Sequence, residues 1–335
     1  MNRLPHSIPA RTLWTSALAA AVCLTLSACG GGDIDEAASP QDVSAEARET
    51  AQAVATSNTL HVGIKLPGFP HAVDVYRPAG ATRAMVFLHG RGGRSWLSAY
   101  DLGINKVQMP VVAKNVNWDW LSRNGIIAIF PQAQNLPGTT TPVWSDYINT
   151  SGADDVGFLK ALSSYARSQY GATQVSLGGH SNGGAMTGRI WCEASASFGA
   201  YVTLSSAMVT STYPVPGPTC KPATPAPYLA VVGSADSMLA IWDIGILPPT
   251  PQQIAVGLTN GILVYEWGRD RDRASMLCGE TVSLESVSTT AKGPTWNACN
   301  SRTRYIVVNN ADHSVKSLET NAGYKMADLI ASFIR

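Results

Sequence analysis

The run from Gln174 to Met186 contains Gly179-His180-Ser181-Asn182-Gly183, a serine framed by glycines as G-x-S-x-G. An apolar, strand-like segment, Gln174 to Leu177, leads into it, and a helix-compatible segment, Gly183 to Cys192, leads out. That strand–turn–helix context lifts a serine hydroxyl to the carboxyl edge of a sheet. The glycines have a steric reason, because side chains at 179 and 183 would collide with neighbouring backbone in so sharp a turn. A serine hydroxyl is a weak nucleophile near neutral pH, so the arrangement demands a base and an orienting acid elsewhere in the chain.

In this strand–turn–helix setting the partners follow in the order serine, acid, histidine. Six histidines are present, and His313 alone lies well downstream of Ser181. It follows the apolar run Arg304 to Val308, in a loop from which an imidazole could reach the serine. The acid is expected after the strand before, where Tyr228 to Val232 runs into Gly233-Ser234-Ala235-Asp236. Asp236 is the first choice and Asp243 the second. Asp270 and Asp272 belong to the charged run Arg269 to Arg273, which reads as a solvated face, and Asp312 is too close in sequence to His313 to aim at its ring.

An acyl transfer also builds up negative charge on the carbonyl oxygen, which preorganised amides must stabilise. The backbone N–H of Asn182 is one expected donor. The other is that of Arg91, in the loop His89-Gly90-Arg91-Gly92-Gly93. This loop completes neither G-x-G-x-x-G nor G-x-x-x-x-G-K-[ST], so nucleotide binding is set aside. With 24 Lys plus Arg against 23 Asp plus Glu, the chain has no general pull on phosphate backbones, and a nucleic-acid partner is excluded on the same footing. No metal or organic cofactor is needed for such chemistry.

The elements that would hold these groups are legible as alternation. Thr59 to Ile64 and Ala72 to Tyr76 form an opening antiparallel pair, with His71 and Asp74 as ordinary polar positions. Ala84 to Leu88, Gly125 to Phe130, Gln174 to Leu177, Ala200 to Leu204, Tyr228 to Val232 and Arg304 to Val308 are unbroken apolar runs of strands buried on both faces. Helices are predicted over Trp118 to Arg123, Val156 to Gln169, Gly183 to Cys192, Pro251 to Tyr265 and Gly323 to Ile334, with Asp154 or Asp155 capping the second. The pattern predicts one α/β domain, doubly wound around a mostly parallel sheet, over residues 58–335.

The start of the chain reads as an address. Arg3 and Arg11 precede the apolar run Leu13 to Leu26, followed by Leu26-Ser27-Ala28-Cys29-Gly30, which is similar to a bacterial lipobox. Residues 1–28 are then a signal peptide, Cys29 the lipidated mature N-terminus that anchors the chain to a membrane, and 29–57 a flexible tether poor in large apolar residues. The competing reading is a plain secretory peptide cut after Ala28. In either case the chain is exported. Four cysteines follow, Cys192, Cys220, Cys278 and Cys299, and two disulfides are expected, most simply between sequence neighbours. No C-x-x-C pair favours zinc.

The ordered set Leu88-His89-Gly90, Pro131-Gln132, Asp154-Asp155-Val156-Gly157-Phe158, Gly179 to Gly184, Phe198, Gly233 to Asp236, Trp296 near Cys299, and His313 resembles the polyhydroxybutyrate depolymerase family of esterases. That family overlaps with feruloyl and acetyl-xylan esterases. The resemblance runs from about His71 to the C-terminus and implies an α/β-hydrolase fold, with Ser181, Asp236 and His313 as triad. Where the family has a Gly-rich stretch and Trp-Pro at its histidine, this chain has Asn310-Ala311-Asp312-His313-Ser314-Val315, a departure on the leaving-group side of the pocket. No stretch remains for the linker and polymer-binding domain of extracellular depolymerases, so a soluble or oligomeric ester is the expected substrate. Trp96, Trp144, Tyr147, Tyr213, Met238, Ile241, Trp242 and Ile246 are candidates for the acyl pocket, Trp144, Tyr147 and Trp242 foremost. A serine peptidase or amidase on the same scaffold, and a non-catalytic surface-binding protein, are the alternative functions.

Overall fold

The computed structural model describes residues 56–206, 220–240 and 248–335. The expected signal segment with Cys29, nearly all of the tether, and Tyr213, Ile241, Trp242, Asp243 and Ile246 lie outside the described residues. The strands are β1 (Thr59–Lys65), β2 (Ala72–Arg77), β3 (Arg83–Leu88), β4 (Ile126–Pro131), β5 (Gln134–Asn135), β6 (Pro142–Val143), β7 (Gln174–His180), β8 (Tyr201–Leu204), β9 (Tyr228–Gly233), β10 (Ser288–Thr290), β11 (Gly293–Ala298) and β12 (Thr303–Val308). The α-helices are α1 (Ser95–Asp101), α2 (Trp118–Asn124), α3 (Asp155–Tyr170), α4 (Asn182–Glu193), α5 (Ser237–Ala240), α6 (Pro251–Ala255), α7 (Gly261–Cys278), α8 (Val315–Ala322) and α9 (Met326–Phe333).

Among the described residues the main sheet runs β1-β2-β4-β3-β7-β8-β9-β12-β11-β10. Its centre, from β4 to β12, is parallel, and antiparallel strands flank it on both sides. The central strands are apolar at consecutive positions because both faces are covered. On one face Phe158 and Leu162 of α3, Met186 and Ile190 of α4, and Leu263 and Trp267 of α7 pack on the sheet. On the other, Ala99 of α1, Leu121 of α2, Leu318 of α8 and Ile330 of α9 do the same. Two disulfides join Cys192 to Cys220 and Cys278 to Cys299, the pairing of sequence neighbours. Disulfides of this kind belong to chains that fold in an oxidising compartment. No helix among the described residues is long and apolar enough to cross a membrane.

Three local expectations are corrected. The helix predicted over Pro251 to Tyr265 is two helices, because Gly257 adopts φ 91° between α6 and α7. The Arg269 to Arg273 run is not a solvated face throughout: Asp270 and Arg273 are buried, and the Arg273 guanidinium lies 3.9 Å from the centre of the Tyr228 ring. Trp296 Nε1 donates to Asp270 at 2.9 Å. Nor is His71 an ordinary polar position on a strand. Its ring is fully buried, stacks on Phe158 at 3.9 Å, and meets Asp155 through Nε2 at 2.6 Å, while Asp154 takes the capping role at Gly157 N.

Candidate active site

Ser181, Asp236 and His313 follow β7, β9 and β12, so three parallel strands deliver them to one edge. The register places Val308 beside Gly233, so the loops that carry His313 and Asp236 start level with each other. They are then laced together: Ala235 N donates to Ala311 O at 3.0 Å, and Asn310 N to Ser234 Oγ at 2.9 Å. Gly233 is required for that approach, since a Cβ there would overlap the Ala311 carbonyl.

The serine turn is strained. Ser181 has φ 55° and ψ −122°, a conformation that an L-residue adopts at a cost of about 1–3 kcal/mol. A Cβ on Gly179 would overlap the Gly183 carbonyl, and one on Gly183 would lie 2.6 Å from the His89 carbonyl oxygen, which is why this turn admits only glycine at both positions. Ser181 Oγ lies 2.8 Å from His313 Nε2, the contact a hydroxyl makes when it donates to a neutral imidazole. His313 Nδ1 lies 2.9 Å from each Asp236 oxygen, and the Asp236 carboxylate also accepts from Met238 N and Leu239 N, both at 3.1 Å. Those two amides open α5 and hold the carboxylate in place.

A strand order of this kind, an antiparallel lead-in, and a serine on a strained turn after the central strand settle the architecture. The fold is that of an α/β-hydrolase. No protein-family model matches the sequence, and no curated protein matches it. Among solved structures, the chain is similar to an acetyl xylan esterase from Aspergillus awamori, at 13% identity over 83% of this chain and 98% of that one, with a TM-score of 0.47. It is also similar to an S-formylglutathione hydrolase from Agrobacterium tumefaciens, at 12% identity over 85% and 98%, with a TM-score of 0.48. A CIB-like hydrolase from Thermoplasma acidophilum gives 14% identity over 83% and 98%, with a TM-score of 0.43. Likenesses at these identities concern chain path alone.

In this fold the loop after β3 lies against Ser181: a Cβ on Gly90 would sit 3.2 Å from Ser181 Cβ. The backbone N–H groups of Arg91 and Asn182, the two expected oxyanion donors, have no protein acceptor among the described residues. Their side chains are tied to one carboxylate. Asn182 Nδ2 donates to Asp146 at 2.7 Å, Asp146 accepts from Asn149 N at 2.6 Å, and Asn149 Oδ1 accepts from Arg91 Nη1 at 3.3 Å. Asp146 is itself buried. Sequence reasoning missed it, and its place in the loop before α3 gives no local signal.

Two histidines beside the site are held neutral. His89 Nδ1 donates to Gly90 O at 2.7 Å, so its Nε2 is free to accept from Ala133 N at 3.1 Å, and burial lowers its pKa to about 4. His180 Nε2 donates to the His313 carbonyl at 2.7 Å, and burial again lowers the pKa to about 4.

Ser181 opens into a cleft of about 490 Å³. Phe87, Leu97, Leu102, Met238 and Val315 supply apolar lining, and Arg91, Arg94 and Asp101 supply charge. Three expected pocket residues are elsewhere: Trp96 on α1, Trp144 and Tyr147 are absent from the cleft lining. Trp144 is fully buried, stacks against the His71 ring plane and donates from Nε1 to His89 O at 3.0 Å, so it supports the loop from behind. Tyr147 lies under the Arg189 guanidinium, 5.5 Å from its ring centre, and lines no part of the cleft. The wall that replaces them is α1. Its spacing, Arg94, Leu97, Ser98 and Asp101, was the available signal for one helical face.

Proposed function

We propose that the chain is a serine esterase that works by way of an acyl-enzyme. The observation that carries this reading is the continuous hydrogen-bonded path from Ser181 Oγ through His313 to Asp236, at 2.8 and 2.9 Å, on a turn that holds the serine at the mouth of a cleft. His313 Nε2 takes the hydroxyl proton as Ser181 Oγ attacks the ester carbonyl carbon. Asp236 stabilises the resulting imidazolium through Nδ1–H. The tetrahedral oxyanion accepts from the Arg91 and Asn182 amides, His313 passes its proton to the departing alkoxide, and the alcohol leaves. Water, deprotonated by His313, then attacks the acyl carbon; the bond to Ser181 Oγ breaks as His313 returns the proton to that oxygen, and the carboxylic acid is released with the serine restored.

The substrate classes that the sequence resemblance favours are hydroxybutyrate-type oligoesters and feruloyl or acetyl esters, and the apolar lining of the cleft fits a short acyl or alkyl arm. The disulfides support an exported enzyme, and Cys29 supplies its membrane anchor. The test is pre-steady-state release of nitrophenol from p-nitrophenyl acetate. A burst close to one equivalent is expected from the native chain and none from Ser181→Ala. A burst retained by that variant overturns the assignment, and faster turnover of peptide nitroanilides than of esters redirects it to an amidase.

A further inference from the structure

The cleft carries an electrical polarity that the triad does not require. Along one wall α1 and its N-cap turn Arg94, Leu97, Ser98 and Asp101 toward the cavity, and Val315 at the start of α8 lines it as well. The arginine end is the nucleophile end. Gly90 lies against Ser181, Gly93 N donates to Gly90 O at 2.9 Å, and Arg94 Nη1 donates to Gly93 O at 3.0 Å. Asp101 is seven residues further along α1, about 10 Å away at 1.5 Å per residue, on the side where Glu319 acts on its carboxyl.

Arg91 and Arg94 each meet one neutral oxygen, of Asn149 and Gly93, and among the described residues neither reaches a carboxylate within ion-pair distance. A guanidinium has five donors in a planar fork, so both retain most of theirs. The other titratable groups lining this end are His89 and His180, held neutral by burial, and His313, whose Nδ1 is engaged with the Asp236 carboxylate at 2.9 Å. Two cations with spare donors beside a nucleophile, at the end of the cleft remote from its acid, match a planar anion close to the scissile bond.

We propose that the ester cleaved at Ser181 carries a free carboxylate, bound by Arg91 and Arg94 next to the scissile bond, while its uncharged arm lies along Leu97, Leu102 and Val315. A half-ester of a diacid, or an ester of a hydroxy acid, has this form. The inference rests on the esterase reading of Ser181. It deepens that reading by naming a charge the substrate must bear.

The test compares kcat/KM of the full chain on matched pairs: 3-acetoxybutanoate against 3-acetoxybutanamide, with the charge on the alcohol side, and monoethyl succinate against ethyl succinamate, with the charge on the acyl side. In at least one pair the anion is expected to be preferred by about tenfold at low salt, less at high salt, as for a charge-assisted contact at a partly exposed site. Arg94→Met should bring that ratio close to one, and Arg94→Lys should restore part of it; Arg94 is exposed, so neither change disturbs the core. Equal or better hydrolysis of both neutral partners, or a ratio that Arg94→Met leaves unchanged, overturns the inference while leaving the esterase intact. Loss of the p-nitrophenyl acetate burst in the native chain, by contrast, would remove the esterase reading itself.

Discussion

His180, the residue before Ser181, donates from Nε2 to the backbone carbonyl of His313 at 2.7 Å. The turn that lifts Ser181 therefore also grips the loop that carries His313, and the two histidine rings lie 5.0 Å apart. His180→Ala should loosen that loop and lower kcat/KM for an aryl ester by roughly 10- to 100-fold, the penalty typical of a small misplacement of a catalytic group. His180→Gln, which keeps a donor, should recover part of the loss. Full activity in the alanine variant would show that the β12 loop holds His313 unaided.

Asp236→Asn should lose about 10³- to 10⁴-fold in kcat, because an amide facing Nδ1 favours the wrong tautomer and leaves the imidazolium without its counter-charge. Asp243→Asn should leave turnover near that of the native chain. The reverse ranking, measured on p-nitrophenyl acetate, would move the acid to Asp243.

His89 gives a pH-dependent signature of stability. Its folded pKa, about 4, lies below the ordinary 6.5, so as pH falls the unfolded chain binds this proton first. The neutral ring's contribution is complete above pH 6.5 and is lost progressively between 6.5 and 4, roughly 3 kcal/mol in all at 1.36 kcal/mol per pH unit. Asp270, raised by burial to about 7, pulls in the opposite sense. Comparing the native chain with His89→Gln cancels the Asp270 contribution. Denaturant titrations at pH 7 and pH 5 should show a smaller acid-induced loss in the variant, and an equal loss in both would contradict the assignment of His89 as a neutral buried acceptor.

The proposed anchor is checked in cells. Cys29→Ser should remove lipid attachment, so that activity leaves the detergent-extractable membrane fraction or remains as uncut precursor, with the triad untouched. Identical fractionation of both forms as processed, soluble protein would make this a plain secretory leader.

The central sheet was legible because burial on both faces writes itself as consecutive apolar residues, as in Tyr228 to Val232, and because Gly179 and Gly183 bracket a serine that no ordinary turn would need. The order of strands then made His313 and Asp236 natural partners. What escaped were contacts that only the folded chain brings together. His71 and Asp155 are 84 residues apart, and neither looks unusual alone. Asp270 and Arg273, three apart, read as an exposed helical face until the aromatic rings of Tyr228 and Trp296 close over them. Trp144 was read as a pocket wall for its ring, whereas its indole N–H already had an oxygen to meet inside the protein.

Ser181 and His313 are separated by 132 residues, and the strand before His313 is, in sequence order, the last of the sheet among the described residues. During synthesis Ser181 emerges well before His313, the base proposed to activate it. On the proposed mechanism a nascent or half-folded chain carries an inert serine, and hydrolysis would begin only when β12 has docked beside β9. Turnover is thus a readout of completed assembly, sensitive to the folding of the final quarter of the chain in a way that helix content is not.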